Sequence, residues 1–146
     1  MPTPITASTL SALLSAALAQ KPTRPLVLAL DGRCGSGKTT LANGLAAQLP
    51  GCTLLRTDDF YLPPAQPLVI LEGSYSHHPL LRPYETLRVF VTCAKPEQTR
   101  RLQAREGARY ADFSARWVPL EEGYFAQYDI AESADFVVDT TAGGTI

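Results

Sequence analysis

The sequence predicts a parallel α/β sheet covered by helices on both faces. Short, unbroken apolar runs recur along the chain, as strands buried on two sides require. Segments with apolar residues three and four apart separate several of these runs, as crossover helices would. A glycine-rich turn joins the first run to the first such segment.

The opening residues 1–24 read as a docking helix. Leu10, Leu13, Leu14, Ala17 and Leu18 share a helical face behind Ser8, a candidate cap. No basic residue precedes Lys21, which argues against a secretion signal. PLVLAL (25–30) is the first strand, and KTTLANGLAAQL (38–49) is a helix stopped by Pro50-Gly51. CTLLRT (52–57), PLVILEG (67–73), LRVFVTC (87–93) and DFVVDT (135–140) complete a five-stranded sheet within one domain, 1–146. Between the last two strands, one helix runs from Pro96 to about Glu106. A second carries Phe113, Trp117, Leu120, Tyr124 and Tyr128, with Pro119 expected to start or kink it and the aromatics expected in the core. The connection 59–66 is too short for a packed crossover helix.

A chain of 146 residues holds one domain with a real core, and its 45% apolar and 18% charged residues are ordinary for a globular protein. A net charge of −1 excludes bulk electrostatic attraction to nucleic acid or to an anionic membrane, so any anion site must be a local device. The three cysteines have no metal spacing and suit reduced thiols in the cytoplasm. No apolar run approaches membrane-spanning length. A homo-oligomer is left open.

Residues 32–39, GRCGSGKT, match G-x-x-x-x-G-K-[ST] in full, between a predicted strand and a predicted helix. Glycine permits positive φ and lets backbone N–H groups approach an anion with no Cβ in the way. Gly32, Cys34, Gly35, Ser36, Gly37, Lys38, Thr39 and Thr40 therefore form a candidate nucleoside triphosphate site. The amides and the helix N-terminus face the β-phosphate, Lys38 reaches the β- and γ-phosphates, and the Thr39 hydroxyl is a ligand for Mg²⁺.

In an open parallel sheet, ligands sit beyond the carboxyl ends of the strands. Asp58 and Asp59 end the second strand and Glu72 ends the third, so all three face the phosphate loop's crevice. Transfer of a phosphoryl group to a hydroxyl needs a carboxylate at the acceptor and acidic groups or waters around Mg²⁺. Solvated loop acids are the alternative reading.

DGRCGSGKTTLA, TDDFYLP, LEGSYSHHP, RWVPLEEGYF and ADFVVDT, in this order, resemble the uridine kinase-like family of P-loop kinases, whose broader relatives include phosphoribulokinase and pantothenate kinase. The resemblance spans about residues 25–140. It implies a P-loop NTPase fold, Mg·ATP as cofactor and a nucleoside, uridine or cytidine, as acceptor. It further implies that Asp58 is the base near the Mg²⁺ shell, that Glu72 belongs to the metal's water environment and that Tyr61 lies toward the acceptor. Asp59, Tyr75 and His77 are secondary acceptor candidates, with His78 beside them. Family members carry a longer segment between the D-D-F-Y-L-P motif and the strand ending in E-G, where this chain passes directly through DDFYLPPAQPLVILEG.

Arg100, Arg101, Arg105, Arg109 and Arg116 cluster after the fourth strand, and Arg101 and Arg105 share a helical face. By resemblance, about residues 95–116 form the lid, whose arginines neutralise the transferring phosphoryl group. A charged solvent face is the other reading. The expected activity is ATP-dependent phosphorylation of a small-molecule hydroxyl, with Asp58, Lys38, Arg101 and Arg105 as its catalytic groups. The short 59–66 connection favours the alternative, a nucleotide-binding module or slow ATPase without productive acceptor phosphorylation.

Overall fold

A computed structural model describes residues 2–56 and 67–142. Its strands are β1 (Thr3–Pro4), β2 (Leu26–Gly32), β3 (Cys52–Arg56), β4 (Leu68–Glu72), β5 (Leu87–Thr92) and β6 (Phe136–Asp139). Its helices are α1 (Ala7–Ala19), α2 (Lys38–Gln48), α3 (Lys95–Glu106) and α4 (Tyr110–Tyr128). All strand pairs are parallel, in the order β1-β6-β5-β2-β4-β3.

Among the described residues the sheet has six strands, not five. The extra one, Thr3–Pro4, pairs with Phe136–Val137 at the edge. Two residues beside a proline carry no hydrophobic period, so no pattern in the sequence marks them. They also shift the start of α1: Thr6, not Ser8, caps it, its side chain accepting from the Thr9 amide at 3.1 Å.

Alternation along the strands sorts the core into two layers. Leu28 and Leu30 of β2, Val89 and Val91 of β5, and Ile70 of β4 pack against Leu10 and Leu14 of α1 and Leu41 and Leu45 of α2. Phe90 of β5 points to the opposite face and packs with Tyr124 and Phe125 of α4. Asp31 lies on that second side, in line with its neighbour's neighbour Ala29.

Helix α4 runs unbroken through Pro119, which therefore neither starts nor ends it. The proline and Ala115, whose carbonyl loses an amide partner, are both solvent-exposed, the cheapest place for such a loss. Only a 3₁₀ turn, Gly107–Arg109, separates α3 from α4. Among the described residues, no helix is long and apolar enough to cross a membrane.

Candidate nucleotide site

The phosphate loop hangs between the end of β2 and the start of α2. Gly32 has φ 144° and lies opposite Val91 in the β2–β5 register. Gly37 caps α2 in the left-handed region, φ 90°, and no side chain makes a capping hydrogen bond to the helix end. The first-turn amides of α2 therefore lack intrahelical partners and face outward, the arrangement that favours an anion.

Lys38 is nearly buried, and its Nζ donates to the carbonyls of Gly32 (2.6 Å) and Arg33 (3.0 Å). It is folded back over the loop that precedes it. The Thr39 hydroxyl donates to Glu72 Oε1 at 2.9 Å, bringing α2 and the end of β4 together. Arg56 Nε stands 4.0 Å from the other Glu72 oxygen, and its guanidinium also donates to Asn43.

A cleft of about 1260 Å³ opens at this point. Cys34, Gly35, Gly37, Lys38, Thr39, Thr40, Glu72, Tyr75, Arg101 and Arg105 line it. Gly32 and Ser36 do not, although both belong to the same loop. Ser36 is fully buried, and its hydroxyl finds no partner among the described residues. Asp58, Asp59 and Tyr61 lie outside the described residues.

His77 departs from the acceptor role expected of it. It is fully buried, and its Nε2 lies 3.0 Å from the Ala29 carbonyl, which fixes that nitrogen as the donor. Burial lowers its pKa and favours the neutral ring. His78, next in the chain, reaches the cleft instead. Tyr75 keeps φ 73°, uncommon for a residue with a Cβ, and half exposes its ring in the cleft while setting it edge-on to Tyr124, centroids 4.6 Å apart.

Two arginines of the cluster meet the loop from α3. Arg101 donates to Glu97 (2.7 Å), to the hydroxyl and carbonyl of Thr140 (2.9 and 2.7 Å) and to the Gly35 carbonyl (3.3 Å). Arg105 donates to Glu106 (2.7 Å) and points to the Cys34 sulfur (3.2 Å). The other arginines of the cluster turn to surface partners: Arg100 to Glu97, Arg109 to Glu106, and Arg116 over the Trp117 ring.

Further polar residues that sequence patterning had not singled out hold the loop, among them Gln98 of α3, whose Nε2 donates to the Cys34 carbonyl at 2.8 Å. Asp31 is fully buried and accepts from the Gly32 amide (2.7 Å), the His77 amide (3.1 Å) and the Tyr124 hydroxyl (2.9 Å). Burial, and after it the Asp31 charge, raises the Tyr124 pKa, so the phenol stays a donor. Glu121 of α4 accepts from the Cys34 amide at 2.7 Å, and burial pushes its carboxyl upward. Beside it, Arg33 pairs with Glu122. Thr140, after β6, donates to the Ser36 carbonyl at 2.5 Å. Only Asp31, which ends an apolar strand as Glu72 does, had a positional signal; Glu121 and Thr140 fall within RWVPLEEGYF and ADFVVDT, stretches that carry the resemblance but to which it assigned no role.

Among the described carboxyl groups, Glu85, next to the 3₁₀ turn Arg82–Tyr84, is pushed upward strongly. Both its oxygens are buried without a hydrogen-bond partner among the described residues, and desolvation raises its pKa from 4.5 to about 7. The folded value lies above the unfolded one, so the unfolded chain ionises first. The group's contribution to stability is intact below about pH 4.5 and is lost as pH rises through about 7. Glu85→Gln is therefore expected to flatten the fall in thermal midpoint across that window. An unchanged slope in thermal unfolding would count against the assignment.

The donor set suits a hard cation. Thr39 and Glu72 offer oxygen only, and Mg²⁺ characteristically takes one or two protein oxygens and fills its shell with water and substrate phosphate. Among the described residues, no group of three or more His, Cys, Asp or Glu could cage a metal.

No protein-family model and no curated protein matches the chain. Solved structures do. One is a Bacillus stearothermophilus protein described as a possible uridine kinase, 18% identical, with a TM-score of 0.66 over 91% of this chain and 97% of that one. A Thermus thermophilus protein is 17% identical, with a TM-score of 0.61 over 82% and 90%. A protein of Silicibacter sp. TM1040, provisionally assigned as a fructose transport system kinase, is 17% identical, with a TM-score of 0.57 over 91% and 98%. The fold is that of the P-loop kinases. In a P-loop kinase fold the cleft described above lies at the carboxyl ends of β2 and β4, where the strands deliver the loop and Glu72 together.

Proposed function

We propose that the chain is a phosphotransferase that moves the γ-phosphoryl group of ATP to the hydroxyl of a small molecule. The observation that carries this is the Thr39–Glu72 hydrogen bond beside Lys38 in the cleft. It joins a metal-binding hydroxyl, next in the chain to the phosphate-binding ammonium, to a strand-end acid from a separate part of the sequence.

Lys38 and the loop amides hold the phosphates, while Thr39 and Glu72 hold Mg²⁺ directly or through water. When bound, Mg·ATP supplies the transferable phosphoryl group and screens its charge. Asp58 orients the acceptor hydroxyl and takes its proton. Arg105, and Arg101 after exchanging its Thr140 and Gly35 partners, neutralise charge as the group moves. A pyrimidine nucleoside is the acceptor favoured by the motif resemblance and by the Bacillus stearothermophilus structure's description. A sugar, suggested by the Silicibacter protein's description, presents the same kind of alcohol. The protein works in the cytoplasm, without nucleic acid or membrane.

A second reading, a nucleotide-binding module or slow ATPase, is favoured by one observation. β3 and β4 are adjacent parallel strands, yet only residues 57–67 join them. ADP release measured across nucleosides, sugars and vitamins separates the two. Acceptor-dependent turnover that falls by roughly 100-fold or more in Asp58→Asn supports the kinase. ADP release indifferent to every acceptor supports the module.

A further inference from the structure

Asp31 is buried where three segments meet, and its three donors are all neutral. They are the amide of Gly32, which opens the phosphate loop, the amide of His77, in the segment after β4, and the hydroxyl of Tyr124, on α4. A fully buried carboxylate is costly unless such bonds satisfy it, so all three donors are held to their positions.

Each contact leads into the cleft. The Gly32 carbonyl accepts from Lys38 Nζ. His77 sits two residues beyond Tyr75, which lines the cleft, and the Tyr124 ring packs edge-on against Tyr75. One turn of helix from Tyr124, Glu121 holds the Cys34 amide.

We propose that Asp31 is a positioning residue that couples the phosphate loop to the acceptor-side segment 73–78 and to α4, so that occupancy of the loop is felt at His77 and Tyr75. The inference rests on the nucleotide site proposed above. Lys38 must give up the Gly32 carbonyl to reach a phosphate. The Gly32–Arg33 peptide then resettles, the adjoining Asp31–Gly32 peptide turns with it about the Gly32 Cα, and the carboxylate bonded to the Gly32 amide passes that movement to its other two donors.

Asparagine has the same shape at position 31 but only one acceptor oxygen, and its NH₂ would confront one of the donors. Asp31→Asn is therefore expected to weaken Mg·ATP binding about tenfold, and Tyr124→Phe about threefold, with the double variant no weaker than Asp31→Asn alone. The readout specific to coupling is the backbone amide spectrum of ¹⁵N-labelled protein titrated with a non-hydrolysable Mg·ATP analogue. In the wild type the His77 amide, which does not line the cleft, shifts together with Gly37 and Lys38. In Asp31→Asn, Gly37 and Lys38 still shift at higher ligand and His77 is silent.

Should Asp31→Asn fail to fold, Tyr124→Phe, which deletes a single hydroxyl, must still reduce the response at Tyr75. Wild-type shifts at Gly37 and Lys38 with a silent His77 would overturn the coupling and leave the nucleotide site standing. No shift at Gly37 or Lys38 in the wild type would overturn the nucleotide site, and the coupling with it.

Discussion

Replacing Lys38 with alanine is expected to abolish measurable Mg·ATP binding while leaving the protein folded. The ammonium group is nearly buried over the phosphate loop and bonded to two carbonyls, Gly32 and Arg33, so it is already largely desolvated and has only to exchange loop carbonyls for phosphate oxygens. A charge-assisted hydrogen bond contributes about 1.5–3 kcal/mol, and two such bonds to phosphate oxygens amount to roughly 100-fold or more in affinity. In the empty protein, the loop carbonyls lose only one donor each, and the shortened side chain leaves space, open to the cleft that Lys38 lines, for water to replace it. Isothermal titration with Mg·ATP, next to a thermal unfolding scan, reads both halves. Unchanged affinity would refute the phosphate site, and a large fall in midpoint would show that the lysine is chiefly a structural brace. Arginine at this position is not expected to rescue binding, because a planar guanidinium does not fit where a compact ammonium reaches two carbonyls.

The second large effect is on the fold. A Cβ on Gly32 would overlap the Val91 carbonyl oxygen and come within 2.7 Å of the Val91 nitrogen. Both belong to the backbone of β5, which is paired on its two sides and cannot retreat. The φ of 144° adds strain for any L side chain. Gly32→Ala is expected to cost more than about 4 kcal/mol, a large part of the stability of a small domain. The expected result is little soluble protein, or a strongly lowered unfolding midpoint. Gly123→Ala is the control: its Cβ would meet nothing within 4 Å, and alanine suits a helix interior. Equal stability for the two variants would contradict the close approach of β2 and β5.

The contrast between these two glycines shows what the chain makes legible. The phosphate loop is readable because its function forces a local pattern: glycines, a lysine and a hydroxyl in fixed order between a strand and a helix. The apolar runs of β2, β4 and β5 are readable because a strand buried on both faces has no polar position to spare. Glu72 could be placed by its position at a strand end, and the structure bonds it to Thr39. The residues that brace the loop were hidden for the opposite reason. Glu121, Thr140 and Tyr124 lie about a hundred residues downstream, and nothing local distinguishes a carboxylate that caps an amide from one that faces water. His77 misled because a histidine after an acid-glycine pair looks the same whether it points into a cleft or under a sheet. β1 escaped because two residues have no period at all.

That smallest strand has a consequence for how molecules meet one another. Thr3 and Ile5 turn their amides inward to the carbonyls of Asp135 and Val137. The alternate positions, which face outward, are Pro2 and Pro4, and neither owns an amide hydrogen. A strand from another copy approaching this border would find no donor there with which to extend the ladder. The prolines thus guard one flank of the sheet against edge-to-edge aggregation.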